Sequence, residues 1–144
     1  GVYGESKLAG EHAIRASGAR HAILRTAWVY AAHGRNFLLT MLRLAAEREE
    51  LRVVADQIGA PTPAGWIADA TARLLQRGVP ASGTWHLVAG GETSWHGFAS
   101  AIVERAHVAG LIARTPQVLP IATSDYPTPA RRPAYSVLDT ASLE

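Results

Sequence analysis

The chain has 144 residues, no cysteine, one lysine (Lys7) against thirteen arginines, and a formal charge of +2. That length suits one domain, and 48% apolar residues suffice for a core, while the missing cysteines exclude disulfides and thiolate metal sites. The basic residues are scattered, only Arg131-Arg132 being adjacent, so a pI of about 9.4 makes no nucleic-acid footprint.

No apolar run approaches the ~20 residues that span a bilayer, and no signal peptide is expected before the first helix. The expectation is a soluble cytoplasmic protein with no membrane and no nucleic-acid partner. Abundant Ala and Arg with almost no Lys point to a GC-rich bacterial genome.

Residues 3–17 read as a helix with Leu8, Ile14 and alanines on one side, and Gly18 suits a left-handed stop. HAILRTAWVY, 21–30, reads as a buried strand. Asn36 is placed to cap a second helix, with Phe37, Met41, Leu42 and Ala45 at three- and four-residue intervals. LRVVAD, 51–56, is a strand, and GAPTPAG, 59–65, with two glycines and two prolines, is a loop. A third amphipathic helix covers 66–78 and a strand covers 84–89. Thr93 or Ser94 caps a fourth helix that runs to about Ala109, before Gly110. VLPIATS, 118–124, is a last strand, leading into the proline-rich SDYPTPARRP, 124–133, and the short tail LDTASLE.

Alternation of this kind predicts an α/β fold with mostly parallel strands. Only three or four strands are visible, and the glycine-rich turn that opens a doubly wound dinucleotide-binding sheet is absent from the 144 residues. The expectation is the C-terminal part of a larger protein, lacking its glycine-rich cofactor half.

Tyr3 and Lys7 lie four residues apart, which puts phenol and ammonium on one helix face. A free tyrosine has a pKa near ~10, and a neighbouring cation favours the phenolate and brings it toward the range that acid–base catalysis needs. The plain alternative is a packing tyrosine beside a solvated lysine. No His/Cys/Asp/Glu spacing suggests a metal: His86 and His96 read as structural histidines. Trp66, Trp85 and Trp95 read as core or helix anchors, and Asp56 and Asp69 as caps or site residues with nothing to choose between these.

VYGESKLAGE, LRTAWVY, NFLLTMLRLA, DQIGAPT, WHLVAGGETSWHGFA and SDYPTPARRPAYSVLDT together resemble the dTDP-4-dehydrorhamnose reductase family, within the extended short-chain dehydrogenase/reductase superfamily. The likeness runs from Tyr3 to Thr140. It implies a Rossmann-like fold, divided into 1–58, the end of the Rossmann-like part with the Tyr/Lys helix, and 59–144, mostly the substrate-binding region. It also implies reduction of the C4 ketone of dTDP-4-dehydro-L-rhamnose to dTDP-L-rhamnose, with hydride from NADPH or NADH. By the resemblance, Tyr3 is the catalytic proton donor. Lys7 binds the nicotinamide ribose, both residues touch the cofactor, and Trp28 contacts the sugar nucleotide. Ala27 stands where the family commonly has Ser.

Gln57 and Pro61-Thr62 belong to a loop like the family's substrate-side segment, with plain loop structure as the alternative. Arg131 or Arg132 offers a guanidinium to a diphosphate, or ties down the proline-rich loop. The Ser/Thr that normally assists the tyrosine lies outside the 144 residues, so the chain alone is expected to be inactive. Self-association or a homodimer is expected from an uncovered sheet edge. Two other readings stand beside this one. The first is another extended short-chain enzyme, a nucleotide-sugar epimerase or dehydratase. The second is a non-catalytic regulatory subunit of the same fold.

Overall fold

Helix and strand alternate as the sequence predicts, in a computed structural model that describes residues 1–78, 82–130 and 132–141. In chain order the elements are α1 (Val2–Ala16), β1 (Ala22–Arg25), β2 (Val29–Tyr30), α2 (Phe37–Glu47), β3 (Glu50–Val54), β4 (Ile58–Gly59) and β5 (Thr62–Pro63). There follow α3 (Ala64–Gln76), β6 (Gly83–His86), β7 (Thr93–Ser94), α4 (Trp95–Val108), β8 (Gln117–Ile121) and a 3-10 turn at Thr123–Asp125.

The ends of the helices are set by the residues the pattern singled out. Asn36 Oδ1 accepts from Leu39 N at 3.2 Å, and Ser94 Oγ accepts from Gly97 N at 3.0 Å, so each satisfies an amide the first turn leaves free. Gly18, Gly78 and Gly110 take φ of +70°, +82° and +70° just past α1, α3 and α4, where a Cβ would be strained.

Two parallel strand pairs organise the chain. β1 pairs with β6, Ala22 opposite Gly83 and Arg25 opposite His86; β3 pairs with β8, Glu50 opposite Gln117 and Val54 opposite Ile121. Short ladders join β2 to β5 in parallel and β4 to β7 antiparallel. The core lies on the β3–β8 pair. Leu51 and Val53, two apart on β3, turn inward onto Met41 and Ala45 of α2 and Ala99, Ile102, Val103 and Ala106 of α4. Those helix positions recur at three and four residues, one stripe on each helix. Each large aliphatic buried there contributes about 1.5–3 kcal/mol. By contrast, neither α1 nor α3 has a buried residue.

Three readings need correction. The strand expected over 21–30 is two, β1 and β2, broken because Trp28 has φ +49° and turns the chain between them. The expected loop 59–65 contains β5 and the end of β4, its prolines lying where no ladder donor is needed. Of the two readings of Trp66, core or helix anchor, its 44% exposure on α3 removes the first.

Candidate active site

A left-handed backbone costs a bulky residue like Trp28 about 1–3 kcal/mol and persists only when its surroundings over-determine it. Here three contacts do so. The Trp28 indole stacks on Trp95, ring centroids 3.6 Å apart and planes 7° from parallel. Its carbonyl accepts from Thr62 N at 3.1 Å. Gly59 lies so close that a Cβ there would overlap the indole. Between Trp95 on one face and the close approach of Gly59, the Trp28 ring is held half-buried. Phe37 packs against Trp95, centroids 4.6 Å apart, and against Phe98, centroids 5.5 Å apart.

Trp95 also lines a cleft of about 640 Å³, together with Phe37, Gln57, Tyr126, Thr128 and Arg132. Its basic rim is Arg43, Arg48, Arg52 and Arg132. Arg43 is paired with Glu47 at 2.9 Å, whereas Arg48, Arg52 and Arg132 have no acidic partner among the described residues. An arginine fork without a carboxylate suits an anionic oxygen ligand, a diphosphate above all. Arg131 lies outside the described residues.

The segment that carries Tyr126, Thr128 and Arg132 is pinned on both sides. Asp56 accepts from the Thr123 hydroxyl at 2.6 Å and from its amide at 3.0 Å, which holds the Asp56 carboxyl below its ordinary value. Gln57, 7% exposed, donates to the same hydroxyl at 3.0 Å. Downstream, Ile58 N donates to Ala134 O at 2.8 Å, and the Tyr135 hydroxyl donates to Glu92 at 2.6 Å. That carboxylate raises the Tyr135 phenol pKa, since loss of its proton would break the bond. Asp56 is thus a cap for the turn at Thr123. Thr62 is fully buried, its hydroxyl donating to Ala60 O and accepting from Ala89 N, so it is held inward. His86 and His96 each meet a backbone carbonyl, as structural histidines do.

Tyr3 and Lys7 stand on the first two turns of α1, with the Lys7 ammonium 5.4 Å from the Tyr3 ring centroid and Tyr3 77% exposed. Lys7 makes no hydrogen bond or ion pair among the described residues. Where the pair points follows from a contact that sequence reasoning missed. Glu11 receives both arms of Arg25, Nε at 2.6 Å and Nη2 at 2.7 Å, and Arg25 is the last residue of β1. Arg15 bonds Glu11 at 2.9 Å and Thr84 of β6 at 2.8 Å, and Thr84 lies level with Ile23. α1 therefore runs antiparallel to the strands, with Glu11 at their carboxyl end. At 1.5 Å per residue, Lys7 and Tyr3 extend roughly 6 and 12 Å beyond it. That edge, where the chain also turns at Trp28, is where open α/β sheets bind ligands. The available signal was a carboxylate one turn after Lys7 and an arginine closing the strand. For Arg48 and Arg52 there was none, since their spacing is that of any solvated helix end or strand face.

This architecture is that of extended short-chain dehydrogenases/reductases. The UDP-glucose 4-epimerase of Thermus thermophilus in complex with NAD matches with a TM-score of 0.70 over 98% of this chain and 46% of that one, at 22% identity, which shows the fold alone. The dTDP-4-dehydrorhamnose reductase of Bacillus anthracis in complex with NADP matches with a TM-score of 0.89 at 37% identity, over 99% of this chain and 48% of that chain. The chain belongs to the family described as RmlD substrate binding domain, which matches residues 1–144. It is 50% identical to the dTDP-4-dehydrorhamnose reductase of Shigella flexneri over 99% of this chain and 49% of that protein. With that of Burkholderia thailandensis it shares 51% over 99% of this chain and 51% of that protein. The chain spans about half the length of the curated relatives it matches.

Proposed function

We propose that this chain is the sugar-nucleotide side of an NAD(P)H-dependent reductase that converts dTDP-4-dehydro-L-rhamnose to dTDP-L-rhamnose. The observation that carries the reading is the exposed Tyr3–Lys7 pair past the carboxyl end of β1, in a chain that also holds a cleft where Arg48, Arg52 and Arg132 have no acidic partner among the described residues. It is supported by relatives about half identical over the whole chain that bear the name of that enzyme.

In this reading the sugar-nucleotide diphosphate is held by Arg132, with Arg48 and Arg52 on the same rim, and the sugar lies against Trp28. The Tyr3 phenol gives its proton to the C4 oxygen as the ketone carbon is reduced to an alcohol. The Lys7 ammonium steadies the developing phenolate and has donors to spare for a ribose. The nicotinamide, from NADPH or NADH, supplies the hydride when bound. An ammonium with no hydrogen-bond or ion-pair partner among the described residues fits the ribose end of such a cofactor. Its pyrophosphate needs a glycine turn at a helix start, and these 144 residues hold none. The chain by itself is therefore expected not to turn over.

By role, residues 1–58 carry the Tyr/Lys helix and the end of the Rossmann-like part, and 59–144 most of the substrate side, although α2 and β3 also line the cleft. Among the described residues no helix is long and apolar enough to cross a membrane, and a cytoplasmic site of action fits a reaction between a nucleotide sugar and NAD(P)H. The open edge of β1 and the exposed Val2, Leu8, Trp66 and Leu75 favour self-association or a homodimer.

The test is a chimera in which the Shigella flexneri relative supplies the remaining half. Consumption of NADPH or NADH on addition of dTDP-4-dehydro-L-rhamnose, with dTDP-L-rhamnose as product, is expected. Interconversion of sugar nucleotides with no net NAD(P)H consumed would instead mark an epimerase, and binding without any turnover a regulatory subunit.

A further inference from the structure

No residue of α1 is buried, and its largest aliphatics, Leu8 and Ile14, are 45% and 43% exposed. Its hydrogen-bonded ties to the strands, among the described residues, pass through one carboxylate, that of Glu11, and through Arg15. The Glu11 side chain is only 12% exposed, while Arg15 and Arg25 are 40% and 42% exposed. Each Glu11 oxygen is used: Oε1 takes Arg25 Nε, and Oε2 takes Nη2 of both Arg25 and Arg15. The Arg25 pair is a fork on a fork, which fixes distance and plane together, as a lysine or a single bond would not. Arg15 carries the tie on to the β6 hydroxyl of Thr84, so the helix is referenced to both strands.

We infer that Glu11, held by Arg25 and Arg15, is a positioning residue that sets how far α1 reaches past the strand ends. It thereby places Tyr3 and Lys7 at the reacting carbonyl and the nicotinamide ribose. The geometry follows from the helix itself. Lys7 is one turn and Tyr3 two turns beyond the clamp on a rigid rod, so an axial slip at Glu11 is transmitted in full to both. A misplacement of about 1 Å can cost on the order of 10²-fold in rate. The cleft is lined by α2, β3, Gln57, Trp95, Tyr126, Thr128 and Arg132, and by no residue of α1 or β1.

The inference rests on the reductase reading for its kinetic test but not for its structural one. In the chimera, Glu11→Ala is expected to lower kcat at least tenfold and to weaken NADPH binding several-fold. The KM for the sugar nucleotide should stay within about twofold, measured where circular dichroism shows the protein folded. Arg25→Lys, which keeps the charge and loses the fork, is expected to lower kcat about fivefold, and it decides the matter if Glu11→Ala does not fold. Exchanging the pair (Glu11→Arg with Arg25→Glu) should restore part of the loss. A folded variant with kcat within twofold of the parent would overturn the inference, as would equal rises in both KM values with kcat unchanged. If the unmodified chimera shows no reductase activity, the functional reading falls. The clamp is then judged by hydrogen exchange in the 144-residue chain. Amides of Leu8–Arg15 should exchange at least tenfold faster in Glu11→Ala while those of α4 do not change, and unchanged α1 rates would sink it.

Discussion

The two parallel strand pairs are built from the same kind of element and stabilised in different ways. β3–β8 is covered by α2 and α4, and every fully buried residue of the main cluster lies on these elements or just after α4. β1–β6 is flanked by α1 and α3, which bury nothing completely, and α1 is tied down through charged groups. The difference teaches which side carries its own stability and which offers its surface to something else. A helix that presents Tyr3 and Lys7 keeps that face free of packing, and direction then has to come from hydrogen bonds, which are specific in geometry where apolar contact is not.

The sharpest way to separate the two regions is to alter each and read both rate and stability. Tyr3→Phe in the chimera removes a proton donor that is 77% exposed. kcat should fall by on the order of 10²–10⁴, with the melting temperature and NADPH affinity nearly unchanged. Lys7→Met should lower kcat and weaken NADPH binding together, and Lys7→Arg should rescue neither fully, since a planar fork does not reproduce a compact ammonium. An arginine variant equal to the parent in both respects would make the single lysine an accident of composition.

The opposite result is expected on β3–β8. Leu51 is 3% exposed in the main cluster, and Leu51→Ala should cost about 2–5 kcal/mol in denaturant unfolding of the 144-residue chain. Leu75 on α3 is 61% exposed, and Leu75→Ala should stay within about 0.5 kcal/mol. Equal losses at the two positions would mean that the regions share one core, and the contrast between them would fail.

Trp28 bridges the regions, since it follows β1 and stacks on Trp95 at the start of α4. If it contacts the sugar, Trp28→Ala in the chimera should raise the KM for the dTDP-sugar tenfold or more and leave that for NADPH little changed. Comparable weakening of both ligands with a large fall in melting temperature would make it a packing residue only.

Much of this was legible in the letters. The helices, their Asn36 and Ser94 caps and their glycine stops follow from local rules, because a cap or a stop needs only its own few residues. The Tyr-x-x-x-Lys spacing was equally local. What escaped was decided by partners far along the chain. The break at Trp28 depends on Trp95 and Gly59, brought in by two other elements. The inward turn of the Thr62 hydroxyl depends on the amide of Ala89. The role of Glu11 depends on Arg25, fourteen residues on, which no local pattern places against it.

The smallest expected effect tests the same contrast with pH alone. Arg25, hydrogen-bonded to Glu11, holds that carboxyl at about 2, against an ordinary value of 4.5. Burial opposes the shift and Arg15 adds to it. The charged groups facing Glu11 are Arg25 from β1 and Arg15 from α1, itself held by Thr84 of β6. A carboxylate with a lowered folded-state pKa contributes stability that is fully present above its unfolded value and lost as pH falls toward the folded one. The docking of α1 should therefore weaken progressively between about pH 4.5 and pH 2 and be unaffected by moving from pH 6 to 8. The β3–β8 cluster is made of aliphatic and aromatic contacts and has no such group within it. Hydrogen exchange across that window should show α1 amides losing protection before those of α4. Glu11→Gln, which has no proton to gain there, should remove the pH dependence of α1 while leaving that of the rest of the chain. Identical acid profiles for α1 in the parent and in Glu11→Gln would show that the helix is held by something other than this carboxylate.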